Sequence, residues 1–370
     1  MKHICFVTTG DIKSIATSKR ALGMANPLFN NGWKVSIIME DTEENRYRAS
    51  LECNPNINLY FFKKCSALVE IKQKNNIINR IKPDYLYICA FVTRNIVGIK
   101  NKAKKIVEHS ELQSGIPDIK GIHKIRALLN EYLSIIYSDF ILNASKYLQL
   151  CFSNRCKRIG LKKKPNFYFP YAYSTTIIQN KEIDFNNKKN QKYKNKTIFV
   201  FLGTITRNYG IFTILDATKE LSKTYQDFKV LILGKGRHYN ESLAYIHDKG
   251  LDNFVEMPGY IKEDEISYYF SLANCFISPM NDTIQDWARC PSKLYMYLPY
   301  NKTIITCKIG EPFEVLQDAG MYYSAGNSRE LAQQMENVIK NNIPQKKCNP
   351  ELHTWEYRTN QFINWINKQE

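Results

Sequence analysis

The sequence predicts an α/β protein made of two doubly wound parallel-sheet domains in tandem. Three observations predict it. Short apolar runs bounded by turn residues alternate with amphipathic helical stretches. The alternation stops at a polar stretch near residue 190 and then restarts. Finally, a chain of 370 residues exceeds what one core usually holds.

In the first half KHICFVTT reads as a strand, and SIATSKRALGMANPLFNNG as a helix that stops at Gly32. WKVSIIM, YLYICAFV, KKIVEHS and DFILNAS follow as strands, separated by helical stretches such as KIRALLNEYLSIIYS. Apolar strands joined through helices form a parallel sheet covered on both faces. IDFNNKKNQKYKNK then carries almost no large aliphatic residue and reads as a linker or exposed loop. In the second half TIFVFLG, FKVLILGKG, NFVEMPGYI, CFISPM, KTIITC and GMYYSAG read as strands. GIFTILDATKELSKTY, KEDEISYYFSLAN and SRELAQQMENVIKN are the helices between them, and LHTWEYRTNQFINWINKQ closes the chain as a helix. The expected boundaries are a domain over 1–175, a linker over 176–196, a domain over 197–350 and a final helix over 351–370. Two doubly wound sheets in tandem make a cleft between the carboxyl ends of their strands.

Composition narrows the functional classes. An apolar fraction of 44% with 13% aromatics is ample for packed cores and excludes global disorder. No apolar run reaches the ~18 residues that span a bilayer, and MKHICFVTTG reads as a first strand, not a secretory signal. Ten cysteines without a CxxC pair suggest reduced thiols in a cytosolic protein. His3, His123, His238, His247 and His353 share no ligand spacing, so no metal site is expected. Charge is uneven: residues 1–175 carry 28 Lys and Arg against 13 Asp and Glu, net +15, whereas 201–370 are net −2. The asymmetry points to an anionic partner for the first half, either nucleic acid or a membrane surface. With no helix-turn-helix, RNP-like or zinc signature, the nucleic-acid reading rests on charge alone. A basic surface with no partner remains the plain alternative.

One stretch poses a sharper question. CPSKLYMYLPYNKTIIT puts Lys293 in the first turn of a helix, where the backbone dipole already presents positive charge. A cation there is unfavourable unless an anion sits between it and the helix end. The ordered set FVFLGTITRNYGIFTILDA, VLILGKG, FVEMPGYIKEDEISYYFSLANCFISPM and CPSKLYMYLPYNKTIIT, covering 198 to 335, resembles the donor domain of nucleotide-sugar-dependent glycosyltransferases. The resemblance is to those of GT-B fold, family 4, the glycosyl transferases group 1. The first half is similar more loosely, through TTG, NNGWKV, EHSE, SDFILNAS and NFYFPYAY.

The resemblance implies two Rossmann-like domains facing across a cleft, the first for acceptor and the second for donor, with helix 351–370 crossing back to the first. It implies transfer of a sugar from a nucleotide diphosphate sugar to a glycan or lipid-linked acceptor. Retention at the anomeric carbon and a setting in bacterial surface polysaccharide synthesis follow from the same likeness. No cofactor or metal is expected, because many members use none and no DxD pair is present. The anion beside Lys293 becomes the donor diphosphate, whose charge a helix dipole and an ammonium stabilise in the ground state and on the leaving group. Arg207 in GTITRNYG is a second diphosphate candidate, offset from the family's basic positions at Thr204 and Tyr209. Gly203 and Gly210 would let that loop approach the ligand, and Gly10 would bring a first-domain loop against it. His109, after a central strand, is the candidate for a sugar or acceptor hydroxyl, its charge sensitive to Glu108 and Glu111.

This sequence departs from the family in its paired glutamates, which fall at Ala288 and Met296. Asp286 is the nearest acid and is assigned a catalytic role facing the sugar. Glu311 and Glu314 in IGEPFEVL are assigned to ribose or sugar hydroxyls. The missing pair also leaves open a non-catalytic sugar-nucleotide binder. A GT-B-fold sugar-nucleotide epimerase would need an acid/base cluster that one histidine and scattered acids support poorly. The basic clusters KNKAKK (100–105) and RCKRIGLKKK (155–164), with Leu161 beside them, suggest peripheral attachment to the anionic inner face of the cell membrane.

Overall fold

A strand whose residues are buried on both faces has to sit inside a covered parallel sheet, and HICFV at residues 3–7 is buried at all five positions. The computed structural model describes residues 1–13, 17–89, 93–175 and 181–369, which form two compact units. The first comprises Met1–Ser174, Ala288–Cys290 and the stretch from Glu351 through the final helix, and the second Thr175–Trp287 and Pro291–Pro350. No described helix is long and apolar enough to cross a membrane.

In the first unit β1 (His3–Val7), β2 (Lys34–Glu40), β3 (Asn58–Phe62), β4 (Tyr85–Ile88), β5 (Lys104–His109), β6 (Phe140–Asn143) and β7 (Asn166–Tyr168) form one sheet. Their order is β3-β2-β1-β4-β5-β6-β7, and every pairing is parallel. The order reverses between β1 and β4, the topological switch point of a doubly wound fold. Of YLYICAFV, the part from Ala90 to Val92 lies outside the described residues, as do Ser14 to Ala16 of the first expected helix. The sequence reading has no strand at β3. Four of its five residues are only half-buried at the sheet edge, so the continuous apolar signal of a central strand is absent.

The second unit repeats the plan with β8 (Thr197–Leu202), β9 (Phe228–Leu233), β10 (Val255–Gly259), β11 (Cys275–Ser278), β12 (Thr303–Thr306) and β13 (Met321–Tyr322), in the order β10-β9-β8-β11-β12-β13. Pro258 is tolerated because β10 is an edge strand, and the register slips there between Glu256 and Gly259. The expected helix after Pro291 is short. Ser292–Tyr297 is α-helical and Leu298–Tyr300 a 3-10 turn, closed by Asn301 in the left-handed region before β12 begins.

Each unit has its own core. In the first, the final helix Trp355–Asn367 lays Trp355, Phe362 and Ile366 among Met24, Leu28, Trp33 and Tyr85. Gly23, on the helix Thr17–Asn30, makes this possible: a Cβ there would stand 2.3 Å from the Trp355 indole nitrogen. The second core gathers the inner faces of β8, β9, β11 and β12 with the helices Ile211–Leu221 and Ser328–Ile339.

Candidate functional site

In the second unit the strand order reverses between β8 and β11, and ligands of open α/β sheets bind outside the carboxyl ends of strands at such a point. The loop after β8 is bound to the one after β9: Ile205 donates its N–H to the Lys235 carbonyl at 3.1 Å, and His238 to that of Ile205 at 3.1 Å. It is also bound to the loop after β11, where Asn281 Nδ2 donates to the Asn208 carbonyl at 2.6 Å. The backbones pack tightly enough to demand glycine. A Cβ on Gly234 would lie 2.0 Å from the Gly203 oxygen, and one on Gly210, at φ 72°, would lie 2.5 Å from Pro279 Cβ.

Lys293 reaches this point from the helix Ser292–Tyr297. Its Nζ lies 4.2 Å from the centroid of the Phe201 ring, and a Cβ built on Gly203 would sit 3.8 Å from it. The ring face offsets part of the electrostatic cost of a cation in a first helical turn. The aromatic run explains how the helix is held. Tyr297, one turn beyond Lys293 on the same side, accepts the Leu202 N–H at 2.9 Å and stacks on Phe276 at 4.2 Å. Lys293 is thereby pinned to the end of β8.

The second expected phosphate ligand is placed differently. Arg207 is bonded to Glu241 and lies 4.3 Å over the Phe212 ring. Both partners of the ion pair are about half exposed. Such a pair is worth at most about 1 kcal/mol, so an anion can draw the guanidinium away. The neighbouring loop adds Lys235 and Arg237, both exposed, and His238, whose Nδ1 accepts the Arg207 N–H at 3.3 Å. The sequence reading stopped at GKG as a strand end. The available signal is the Arg237-His238 pair directly after Gly236, two more basic residues at the end of the strand.

The acids behave otherwise than expected. Asp286 is 2% exposed, with its carboxylate turned inward to accept the Asn281 N–H, and burial first, then Cys307 and the Asp286 charge, hold the Tyr323 phenol above its usual range. Glu311 is fully buried and accepts from Tyr295 Oη at 2.8 Å. Both carboxylates stabilise loops at the ends of β11 and β12 from within, instead of facing a sugar. Glu314, on the helix Gly310–Leu316, is half-buried. At the missing glutamate pair, Ala288 is buried among Leu112, Ile135 and Phe152 with the first unit, and Met296 is half-buried.

In the first unit Gly10 ends the turn after β1 with φ 79°, and its carbonyl accepts from Asn45 Nδ2 at 3.1 Å. The sequence reading missed the network beneath this turn. Lys74, fully buried, donates to Glu70 at 2.6 Å, Asn95 Oδ1 at 3.0 Å and the Thr8 carbonyl at 3.2 Å, while Asn95 Nδ2 donates to Thr9 Oγ1 at 2.8 Å. Burial lowers its pKa to about 8 despite Glu70.

His109 ends β5 inside the protein, 1% exposed, with its ring stacked on Phe152 at 3.7 Å and Nε2 hydrogen-bonded to Ser134 Oγ at 3.1 Å. Burial, aided by the Arg155 charge, pushes its pKa down to about 3, so the ring is neutral. This corrects the expectation that Glu108 and Glu111 set its charge. Glu108, one residue earlier, belongs to the opposite face of the sheet, where it pairs with Arg20 at 2.6 Å and accepts from Tyr87. The structure thus brings Gly203 and Lys293 together, turns Arg207 to Glu241, and leaves Gly10 and His109 in the other unit. An open groove of about 1120 Å³ lies elsewhere again, at the amino ends of β1, β4 and β5 among Lys2, Lys82 and Lys104.

Residues 182–354 match the family model described as Glycosyl transferases group 1. Comparison with curated proteins by sequence gives no match. Among solved structures, the chain is similar to HepE from Anabaena in complex with UDP and glucose, at TM-score 0.76 and 13% identity, with all of both chains covered. A glycosyltransferase from Rickettsia africae gives TM-score 0.71 and 15% identity over 100% of this chain and 96% of that one. The sucrose-phosphate synthase of Thermosynechococcus elongatus gives 0.73 and 13% over 100% and 99%. The fold is the two-domain α/β architecture of GT-B glycosyltransferase structures.

Proposed function

We propose that this protein is a glycosyltransferase that takes a sugar from a nucleotide diphosphate sugar and passes it, with retention of anomeric configuration, to a glycan or lipid-linked acceptor. The observation that carries this reading is Lys293, held by Tyr297 against the end of β8 beside Gly203, in a region that matches a glycosyl transferases group 1 model. The donor diphosphate lies along the Gly203 loop, with Lys293 on one side and Arg207 drawn from Glu241 on the other. Lys235 adds to the positive field. These cations stabilise the negative charge that builds on the leaving diphosphate as the glycosidic bond breaks, and no metal is required. HepE, crystallised with UDP and glucose, supports a uridine sugar as the first donor to try. Glu314 is the remaining candidate for ribose or sugar hydroxyls, since Glu311 and Asp286 face inward. On the first unit Gly10 stays a candidate for the donor sugar and diphosphate, and His109 is the acceptor-side candidate, as a neutral positioning group. Surface polysaccharide synthesis is the setting that fits such an acceptor.

Calorimetric titration with UDP, GDP, dTDP and CMP tests the donor site. A charged hydrogen bond contributes roughly 1.5–3 kcal/mol, so Lys293→Ala should weaken the preferred nucleotide at least tenfold at an unchanged melting temperature. Unaltered affinity in this variant would remove the assignment. Sugar transfer that persists in EDTA, with the product anomer read by NMR, tests the metal-free retaining chemistry. Tight nucleotide binding without transfer or hydrolysis across a broad acceptor panel would favour a non-catalytic binder, as the replaced glutamate pair suggests.

A further inference from the structure

The helix Gly121–Tyr137 in the first unit has an exposed side of the wrong polarity for water. Ile122 is 76% exposed, Ile125 61% and Leu129 58%, and Leu128, Ile136 and Tyr137 are also open. Positions 122, 125, 129 and 136 recur at helical spacing, so they form one stripe along the helix. The opposite side is buried at Ala127, Glu131, Ser134 and Ile135. Monomeric proteins rarely leave so continuous an apolar surface uncovered.

The charge around the stripe is mainly positive, with the exposed acids Asp118 and Asp139 at its two ends. Lys120, Lys124 and Arg126 are exposed at its start, and the helix's single acid, Glu131, faces inward to Arg155 at 2.6 Å. At the far end Lys164 Nζ donates to the Ile135 carbonyl at 2.5 Å and also bonds that of Ser138, which brings the exposed Lys162 and Lys163 beside the last turn. Asp139, two residues past the helix, donates its N–H to the Lys105 carbonyl at 2.8 Å, so the exposed Lys102 and Lys104 lie at the same end. The two basic clusters singled out in the sequence therefore meet around this helix. Not all of their cations are available. Arg155, Lys164 and Lys105 are bonded internally, and Leu161 packs against the core cluster that includes Phe152 and Cys156 and is no insertion residue.

We propose that the helix Gly121–Tyr137 is a membrane-docking element. Its apolar stripe lies in the interface of an anionic lipid surface, parallel to the membrane plane, and the surrounding lysines and arginine bind lipid headgroups. The basic rim selects lipid over a second copy of the chain, because two such faces brought together would place like charges opposite one another. The inference rests on the first unit alone and stands apart from the donor-site reading.

Co-sedimentation of the full chain with vesicles tests it, using phosphatidylcholine alone and phosphatidylcholine with about one third phosphatidylglycerol. Binding to the anionic vesicles, weakened by salt, is expected. Ile125→Glu combined with Leu129→Glu should cut it at least tenfold, and Lys124→Glu combined with Arg126→Glu should abolish the preference for anionic lipid. All four positions are exposed, so melting temperature and nucleotide affinity should match the parent, which separates this test from that of the donor site. Absent binding, equal binding to both vesicle types, or undiminished binding by the Ile125/Leu129 variant overturns the proposal. So does a concentration-dependent dimer that the same variant disperses without any vesicle binding.

Discussion

Burial removes His109 from the titration range in which histidines usually work. The unfolded chain binds a proton at this side chain below about pH 6.5, whereas the folded protein resists until about pH 3. Between those values the unfolded state holds more protons, so stability falls as pH falls. From pH 7 to pH 5 the loss from this residue alone is about 2 kcal/mol. His109→Phe should be less stable overall, because Ser134 Oγ loses a partner. Its urea-unfolding free energy should nevertheless drop less steeply with acid, by that same amount. An equal slope in the two proteins would mean that His109 is protonated in the fold. Lys74 follows the same rule at the other end of the scale. With its folded value lowered to about 8, stability from this group rises as pH climbs from about 8 toward the ordinary lysine value. Lys74→Met should remove that rise and take the shared cation from Glu70 and Asn95, but Arg94 stays on Glu70, so the loss should fall short of the roughly 3–5 kcal/mol of breaking a buried pair outright.

The helix Ser292–Tyr297 is too short to be stable by itself, and its position depends on what its aromatic residues hold. Tyr297 gives the Leu202 N–H an acceptor, and Tyr295 caps the buried Glu311. Tyr297→Phe leaves a part-buried donor unsatisfied, at a cost toward the low end of about 1–3 kcal/mol, and it loosens the element that carries Lys293. Calorimetry and denaturation should therefore show losses in nucleotide affinity and stability together, whereas Lys293→Ala should show the first alone. A Tyr297→Phe protein with unchanged affinity would mean that packing on Phe276 is a sufficient anchor. The contact between the helices Thr17–Asn30 and Trp355–Asn367 is equally specific. Gly23→Ala would gain up to about 1 kcal/mol of helix propensity, but the new methyl overlaps the Trp355 indole. A net loss is expected, because overpacking typically costs 1–3 kcal/mol. Trp355→Ala should cost about 3–5 kcal/mol, and a thermal-melt series with both single variants and the double checks the coupling.

At the scale of the whole molecule, two separate cores sit under two switch points, and the cations proposed to hold the donor diphosphate belong to the second unit alone. A nucleotide at 100 times its Kd stabilises what it binds by about 2.7 kcal/mol. Hydrogen exchange with the preferred nucleoside diphosphate should therefore protect residues 203–210, 234–238 and 279–283 first. Protection that starts around Gly10 would move the donor to the other unit. The net +15 of residues 1–175 against −2 of residues 201–370 has a separate outlet. In the structure part of that excess is spent internally, at Arg20, Lys74, Lys105, Arg155 and Lys164, and the remainder includes the exposed rim of the helix Gly121–Tyr137.

What the sequence determined by itself was the local and periodic part. Runs such as HICFV and TIFVFL, apolar without alternation, have to be central parallel strands, and glycines in tight turns mark where loops leave the strand ends. Lys293 stood out because its discomfort at a helix start is a local property. The half-exposed edge strand β3 lacked such a signal. Only the tertiary structure decided which charges face solvent and which are consumed, because burial and pairing join residues far apart in the chain. Arg207 finds Glu241 34 residues away, and Lys74 reaches the Thr8 carbonyl across 66. Asp286 reads as an acid facing the sugar and Glu311 as one for ribose or sugar hydroxyls, and both prove to be internal supports. His109 reads as a titratable group beside two glutamates. A strand turns neighbouring side chains to opposite faces, and the sheet gives His109 an aromatic ring and a distant arginine instead.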